Sequence, residues 1–273
     1  MTDPGQRSPP GSGRSEDSFK DQCKSFSGST EGMMVKRLSL VLSAMILLQC
    51  QALAQYPGYR QNQKKWEFSF LAGFSSSGDQ SSATPVTGTD TTRLVGLDFS
   101  SGYLVGLRIT ENLGERFGAE LEYSLGNQPM AFVNLRPSLA RLDLDHREHS
   151  IDYSVLLYAL PTSSRLRPYA VAGLGACFYQ IEGSSRDLAL NQGLTLRNRW
   201  KLAGTWGGGL KYFVSDKWGV RFDVRDQITG VPDYGLPHAS TLFQGVPGAA
   251  FKPNGVLQTW QFSAGFLVVW SGS

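Results

Sequence analysis

The chain has 273 residues, with 26 Lys or Arg, 23 Asp or Glu and a formal net charge of +3. This near balance excludes the basic footprint of a nucleic-acid-binding protein, so we expect no nucleic-acid partner. Two of the three cysteines, Cys23 and Cys50, precede residue 55, and only Cys177 follows it. A lone cysteine excludes both an intramolecular disulfide and a thiolate metal site.

Residues 33–54 have the three parts of a secretory signal. Two basic residues are followed by an apolar run from Leu38 to Leu48, and small residues lie at Ala52 and Ala54. We therefore predict export, with cleavage between Ala54 and Gln55. The alternative, a membrane-spanning helix, needs about twenty apolar residues, and polar residues interrupt this run too early.

Residues 1–32 precede this signal and are rich in Ser, Gly, Pro and charged residues. Such a segment cannot bury a core and is predicted to be disordered. Because secretory signals stand at the start of a protein, we expect the true start to be Met33 or Met34, with a cytoplasmic extension as the alternative. Lipidation at Cys50 is a further alternative, although Gln49 stands where a small residue is expected.

A search of the remaining chain for a period of two, which is typical of half-buried strands, gives eight candidate strands. They are Lys65–Ser75, Ser101–Thr110, Phe117–Leu125, His149–Leu160, Tyr169–Gln180, Trp200–Phe213, Trp218–Asp226 and Leu257–Trp270. Several alternate cleanly between apolar and polar residues, whereas the fifth has small residues on both faces and its orientation is ambiguous. Most are long enough to cross a membrane, since a tilted strand needs about nine to eleven residues to do so. Residues 55–64 are predicted to form a short periplasmic segment in front of them.

The connections between these segments alternate in length. Long, polar connections lie at 76–100, 126–147, 181–199 and 227–256, and short ones lie at 111–116, 161–168 and 214–217. In an up-and-down barrel every second connection lies at the same end, and outer-membrane barrels have short periplasmic turns and long extracellular loops. The order predicts an all-β fold, an eight-stranded antiparallel up-and-down transmembrane β-barrel over residues 65–270.

Aromatic residues concentrate near the strand ends on the apolar face. The clearest are Trp66, Tyr103, Phe117, Tyr123, Tyr212, Trp218, Trp260 and Trp270. Rings at both membrane interfaces are typical of transmembrane barrels, so two aromatic girdles are predicted. The alternative is a soluble, secreted, lipocalin-like barrel whose apolar face points inward.

Two stretches carry a resemblance to a known family. The residues Ser263, Gly265, Val268 and Trp270 resemble the C-terminal signal by which bacterial outer-membrane barrels are recognised for assembly, and the hairpin from Trp206 to Arg225 resembles the sixth and seventh strands of small OmpA/OmpX-type outer-membrane barrels. The resemblance covers Lys65–Trp270. It implies a monomer in the Gram-negative outer membrane, surrounded by outer-membrane lipid and handled by the barrel assembly machinery. Ser271–Ser273 depart from the pattern by extending past the terminal aromatic residue.

The lumen is expected to be packed with polar side chains, because eight strands leave an interior that side chains about fill. Seven charged residues are predicted to point into it: Arg108, Glu120, Glu122, Lys211, Arg221, Asp223 and Arg225. The third and seventh strands lie on opposite walls, so the arginines of the seventh should meet the glutamates of the third. Arg108 and Lys211 are expected near the periplasmic end. Unpaired buried charge costs several kcal/mol, which favours such pairing; a gate or proton path is the alternative.

No catalytic constellation is recognisable, and we predict no enzyme activity, no cofactor and no metal. His149 and Ser150 are adjacent, so they point to opposite faces of one strand and cannot act together. Asp143, Asp145 and His146 offer, with His149, an alternative metal site. We instead expect these residues at the rim of the second outer loop.

These observations predict a structural or surface-interaction role, with the long loops meeting an extracellular ligand or surface. A narrow, porin-like channel and a lipid-active outer-membrane enzyme are the alternatives. The first loop, Ser75 to Asp90, is predicted to be mobile because it is rich in Ser, Thr and Gly. The fourth loop contains Phe243, Val246 and Phe251, enough apolar surface to dock on the barrel mouth or on a partner.

Overall fold

The computed structural model describes residues 66–270. The predicted disordered start, the signal peptide with its cleavage site after Ala54, the short segment up to residue 64 and the tail after Trp270 lie outside the described residues and remain predictions. The elements, in chain order, are β1 (Trp66–Ser77), β2 (Gln80–Pro85), β3 (Thr92–Phe99), β4 (Gly102–Asn112), β5 (Phe117–Asn127), β6 (Met130–Arg136), β7 (Leu139–Leu144), β8 (His146–Tyr158), β9 (Leu166–Ile181), α1 (Gly183–Asn191), β10 (Arg199–Phe213), β11 (Trp218–Gly230), β12 (Leu242–Phe243), β13 (Val246–Pro247) and β14 (Val256–Trp270).

Eight strands form one closed antiparallel barrel. Their order is β1-β14-β11-β10-β9-β8-β5-β4, and β4 pairs again with β1. Each corresponds to one of the eight predicted strands, so the predicted barrel is confirmed. The last strand closes the barrel against the first, with Trp66 opposite Trp270 and Ser77 opposite Thr259.

The outward-facing side chains of the barrel are apolar and accessible. Phe70 is 58% exposed and Phe222 54% exposed, whereas the adjacent lumen-facing Ser69 and Arg221 are 3% and 0% exposed. A soluble barrel buries its apolar face, so the lipocalin-like alternative is wrong. This arrangement is the one that a transmembrane barrel presents to lipid.

The predicted girdle residues all lie on this outward face. Trp66 and Trp270 face each other at the end with the short turns, and Trp260 lies opposite Ser76, ten residues further along these strands. For a rise of about 3.4 Å per residue and a tilt of about 40°, this separation is about 26 Å along the barrel axis. The two rows of rings therefore bracket an apolar band of about the height that a bilayer requires, about 25 Å.

A second body of structure, here called the cap, covers the other end of the barrel. It comprises residues 78–101, 128–145, 182–198 and 231–255. Strands β2, β3, β6 and β7 form a four-stranded sheet in it, and α1 and the β12-β13 hairpin complete it. Apolar side chains of the cap pack with those at the upper ends of the barrel strands: Val95, Leu97, Met130, Phe132, Leu144, Tyr179, Tyr234, Phe251 and Leu257 are among them.

The cap corrects the prediction that the long connections are polar loops. The first loop was expected to be mobile, but Gln80–Pro85 pairs with Thr92–Leu97 in regular antiparallel register. The physical reason is the alternation in β3, which turns Val95 and Leu97 into the interior while the residues between them stay on the outer face. Packing in the cap thus overrides the low strand propensity of Gly- and Ser-rich segments.

Among residues 66–270, no helix is long and apolar enough to cross a bilayer.

Candidate functional site

Six of the seven charged residues predicted in the lumen lie together in its middle. We call this set the lumen network, and each of its members is at most 3% exposed. It comprises Arg108, Glu120, Glu122, Arg221, Asp223 and Arg225. They come from β4, β5 and β11, and β5 and β11 lie on opposite walls of the barrel. Three arginines face three carboxylates, so the formal charges balance within the network.

The contacts that cross the lumen join β11 to β5. Arg221 Nη1 donates to Glu120 Oε2 at 2.8 Å. Arg225 donates from Nη2 to Glu120 Oε1 at 2.6 Å and from Nη1 to Glu122 Oε2 at 2.7 Å. Such charge-assisted hydrogen bonds are about twice as strong as neutral ones, and they connect opposite walls of the barrel.

Arg108 joins this network from β4. Its Nη2 donates to Glu122 Oε1 at 3.0 Å, and its Nη1 lies at ion-pair distance, 2.8 Å, from Asp223 Oδ2. The sequence placed Arg108 near the periplasmic end instead. Because it lies opposite Glu122 in the β4-β5 register, its guanidinium reaches the middle of the lumen.

Lys211 lies apart from the network, in a lower group nearer the short turns. Its Nζ donates to Glu67 Oε2 at 2.5 Å and to the Tyr158 hydroxyl at 2.9 Å. Asn112 donates to Glu67 Oε1 at 2.7 Å, and the Arg167 guanidinium lies 3.6 Å from the centre of the Tyr158 ring. The lower group therefore fills the lumen below the network with a second set of paired charges.

Glu67, Arg167 and Asp152 are lumen residues that the sequence analysis missed. Glu67 and Asp152 each stand between outward-facing apolar residues, so the alternation of their strands already places them inward. Arg167 lay outside the predicted fifth strand because that strand begins earlier, at Leu166. The sequence therefore held a signal for Glu67 and Asp152 in their inward-facing positions along the strands. Arg167 was missed because the start of its strand was predicted too late.

Tyr169 joins the lumen network beside Gly209 of β10. Its hydroxyl donates to Asp223 Oδ1 and accepts from Arg221 Nη2 at 2.6 Å. A Cβ atom on Gly209 would overlap this hydroxyl. The glycine therefore leaves the space in which the tyrosine hydroxyl meets the network.

Above the network, hydroxyl groups surround a further carboxylate. Asp152 accepts from the Ser150 hydroxyl at 2.9 Å and from the Thr205 hydroxyl at 3.0 Å. The Ser124 and Ser150 hydroxyls lie 3.0 Å apart. The cap core lies beyond them, where Phe132 makes edge contacts with Tyr234 and Phe251. Polar and apolar layers thus close the lumen in succession.

The fourth loop divides between the cap interior and the surface. Phe251 is 0% exposed and docks in the cap, whereas Phe243 is 76% and Val246 53% exposed. The backbone N–H of Gly248 donates to the Thr241 carbonyl at 2.9 Å, and Ser240 pairs with Val86 of the first loop. The apolar tip of the β12-β13 hairpin is therefore held on an ordered support.

Asp233 anchors the beginning of the same loop. It accepts from Arg199 Nε at 2.6 Å and from the Gly235 N–H at 3.0 Å, and His238 lies 3.3 Å away. Burial by itself raises the pKa of Asp233, but the Gly235 N–H, His238 and Arg199 outweigh it, and the net pKa is lowered. The contacts favour the ionised carboxylate.

This shift predicts a pH-dependent fourth loop. A carboxyl with a lowered folded-state pKa contributes stability that is present above its ordinary value of about 3.9 and is lost as the pH falls through the lowered value. We expect pepsin to cleave residues 231–255 increasingly across that acidic range. At the least acidic pH of the titration the Asp233→Asn variant should be cleaved more readily than the wild type, and it should respond less to further acidification. Equal cleavage of the two proteins at every pH would contradict the prediction.

The alternative catalytic and metal residues are dispersed. His149 Nδ1 lies 2.8 Å from the Tyr123 hydroxyl on the outward face, whereas Ser150 points into the lumen. His146 is buried with its Nδ1 2.5 Å from the Gln128 carbonyl, and Asp143 pairs with Arg141 at the surface. Within residues 66–270, no group of three His, Cys, Asp or Glu side chains is placed to hold a metal ion.

The four residues of the predicted assembly signal lie on β14. Ser263 faces the lumen, and Val268 and Trp270 are outward-facing and 44% and 65% exposed. A Cβ atom on Gly265 would lie 2.6 Å from the Phe70 carbonyl oxygen. Recognition by the assembly machinery remains a prediction.

Comparisons with known proteins identify the family. The sequence matches the family described as outer membrane protein beta-barrel domain over residues 40–255, which is most of the chain. No curated protein matches it.

Three solved structures are similar at low sequence identity. OprG, an outer membrane protein from Pseudomonas aeruginosa, has 19% identity and a TM-score of 0.49, covering 77% of this chain and 98% of that one. Neisserial surface protein A has 13% identity and a TM-score of 0.43, covering 76% and 97%. The N-terminal β-barrel domain of Pseudomonas aeruginosa OprF has 15% identity and a TM-score of 0.37, covering 77% and 99%. The family match over most of the sequence, on a closed eight-stranded barrel with an apolar outer wall, shows that the chain belongs to the outer membrane protein beta-barrel domain family and lies in the outer membrane.

Proposed function

We propose that this protein is a non-enzymatic surface-interaction barrel whose lumen is closed to ions and whose cap presents a preformed extracellular surface. The observation that carries the proposal is the cap, in which the long connections fold into a sheet over a shared apolar core. Loops that only connect strands need no core of their own. A folded platform on the extracellular side is suited to recognition.

The lumen network supports the closed state. Its arginines and carboxylates bind each other from opposite walls, and their side chains are at most 4% exposed. Displacing them to admit an ion would break several buried charge-assisted hydrogen bonds at once. Such bonds contribute about 1.5–3 kcal/mol each, so the packed plug is favoured over a narrow channel.

Single-channel recording tests the closed lumen. We expect the purified wild-type protein in a planar bilayer to give no steady ion current. The paired removal Glu120→Ala with Arg221→Ala leaves the formal charge of the network balanced and should open a measurable current. A wild-type current as large as that of the double variant would contradict the plug and favour the channel.

The exposed hairpin supports an interaction with an apolar surface. Leu242, Phe243 and Val246 are 43%, 76% and 53% exposed on β12 and β13. Exposed apolar residues that cluster on an ordered support are typical of interaction sites. We propose that this tip provides the first contact with an apolar surface outside the cell.

An adherence assay tests this role. Cells that display the wild-type chain should adhere to polystyrene more than to glass, and Phe243→Ser should remove most of the difference. The matched control is Leu94→Ser, which removes a comparably exposed apolar side chain, 65% exposed, from the cap sheet. Unchanged adherence of the Phe243→Ser cells at equal surface expression would contradict the proposed role of the hairpin.

A further inference from the structure

One buried carboxylate of the barrel lies on the outer face of the wall and not in the lumen. Asp226 in β11 has the parity of the outward-facing Phe222 and Val224. The strand register places it between Trp206 of β10 and Trp260 of β14. The two indole rings meet edge to face at an interplanar angle of 67°, with centroids 6.2 Å apart. Asp226 lies between them and is only 1% exposed.

The hydrogen-bonding capacity of this carboxylate is only half used. Gln258 Nε2 donates to Oδ2 at 2.7 Å, and Oδ1 is buried with no hydrogen-bond partner among residues 66–270. An ionised carboxylate only accepts hydrogen bonds, and a buried charge without a partner costs several kcal/mol. The position therefore favours a ligand that brings a donor or a positive charge.

The surroundings of Asp226 select a cation. Trp206 and Trp260 are 52% and 40% exposed, so their faces are accessible from the membrane side. A tryptophan face attracts an ammonium group, and aromatic side chains are used in this way to bind ammonium ligands. Asp226 is covered by the two rings, so the proposed ligand reaches Oδ1 by rotation of one of them, and rotations of exposed side chains are fast.

The height of Asp226 is that of the outer membrane interface. Its register partner Trp260 belongs to the upper row of rings, about 26 Å above Trp270. Lipid headgroups lie at this level, and acyl chains extend from it towards the middle of the bilayer. A ligand at Asp226 with an apolar tail would therefore extend down the barrel wall.

An apolar groove lies on the wall directly below. It has a volume of about 550 Å³ and is lined mainly by outward-facing residues, among them Ala72, Phe74, Gly208, Leu210, Phe222 and Ala264. Below the pair of Trp206 and Asp226, the next outward-facing pair is Gly208 and Val224. The outward-facing pair after that is Leu210 and Phe222. Small side chains deepen the wall here, and Phe74 and Phe262, stacked with centroids 4.9 Å apart, flank it. The volume is in the range of ligand-binding pockets, about 300–1,000 Å³.

We infer that Asp226, the two tryptophans and this groove form a binding site for a lipid with an ammonium headgroup. The ammonium group binds Asp226 Oδ1 between the indole rings, and one acyl chain lies in the groove. The occupant is a lipid because the groove opens to the apolar band of the membrane, and its orientation, headgroup at the interface and tail towards the midplane, is that of a lipid in the outer leaflet. Gln258, which lies two residues before Trp260 on the outward face of β14, holds the carboxylate in place through its hydrogen bond to Oδ2.

A binding titration on the purified full chain tests this site. In detergent micelles, native mass spectrometry measures the affinities for lysophosphatidylethanolamine, which has one acyl chain and an ammonium group, and for lysophosphatidylglycerol, which has no ammonium group. We expect the ethanolamine lipid to bind about tenfold more tightly, which corresponds to about 1.4 kcal/mol. Asp226→Asn should reduce this preference to about one, because it removes the charge and keeps the shape.

Two further variants separate the headgroup from the groove. Ala264→Phe fills the groove and should weaken the binding of both lipids, while the preference for the ethanolamine lipid persists. Leu121→Phe, on the outward face of β5 across the barrel, is the control for added bulk. Should Asp226→Asn not fold, as judged by migration on gels with and without boiling, Trp260→Leu replaces it and is expected to reduce the same preference. Equal binding of the two lipids by the wild type, or a preference that survives Asp226→Asn or Trp260→Leu, would overturn the headgroup assignment. Unchanged binding by Ala264→Phe would overturn the groove.

Discussion

Replacing Glu120 with Ala is expected to lower the free energy of unfolding of the barrel by about 3–5 kcal/mol, the cost of breaking a buried ion pair by removing one partner. Glu120 accepts from Arg221 and Arg225 on the opposite wall and is 1% exposed. Its loss leaves an excess positive charge in the lumen network, where Arg221 and Arg225 are only 0% and 1% exposed. Urea titration of the protein in lipid vesicles, followed by tryptophan fluorescence, measures the change.

A surface ion pair provides the control. Asp143 pairs with Arg141 at 2.8 Å on the outside of the cap, where its side chain is 73% exposed. Exposed pairs contribute little because water and salt screen them, so Asp143→Ala should leave the urea midpoint almost unchanged. A Glu120→Ala protein as stable as Asp143→Ala would show that the lumen network does not stabilise the barrel.

Replacing Phe132 with Ala is expected to unfold the cap while the barrel persists. Phe132 is 0% exposed and packs against Tyr234 and Phe251, with ring centroids 6.0 and 5.8 Å apart. Loss of a buried phenylalanine costs about 3–5 kcal/mol, and a small local unit can open separately from the rest of a protein. Protease treatment of intact cells should cleave the cap of the variant, and the unboiled protein should still migrate as a folded barrel.

Phe243→Ala is the matched control for the cap, since it removes the same side chain from a position that is 76% exposed. It should leave the cap as resistant to protease as the wild type. If Phe132→Ala also stays resistant, the cap does not depend on its apolar core. If the variant barrel fails to fold at all, cap and barrel form one cooperative unit.

The alternation of residues along the strands was sufficient to predict the barrel and the inward direction of its charges. A period of two fixes which face a side chain is on, so Arg221 and Glu120 could be assigned to the lumen without coordinates. The pairing of Arg221 and Arg225 with the glutamates of β5 follows from the opposite positions of two strands in an eight-stranded ring. The vertical position of Arg108 did not follow, because it depends on the register of β4 against β5, which alternation leaves open.

The cap was not predicted because its strands are short and their apolar residues are few. Val95, Leu97 and Phe99 alternate over too short a stretch to stand out from a loop rich in Gly and Ser. Their burial depends on Phe132 and Phe251, which come from the second and fourth connections. A core assembled from four separate connections leaves no continuous pattern in any one of them.

The lumen network also has a consequence for the order in which the barrel can form. The hydrogen bond between Arg225 and Glu120 joins residues 105 positions apart, so it closes a very long loop, and contacts of such sequence separation form late. Until β11 arrives, the glutamates of β5 lack their cross-wall cations, and a partial sheet would carry unpaired charge into the bilayer. Insertion is therefore coupled to closure: the chain has to complete its ring before, or as, it leaves water. An arrested fragment that ends before Arg221 should remain soluble or chaperone-bound and should not accumulate as a membrane-embedded half-barrel.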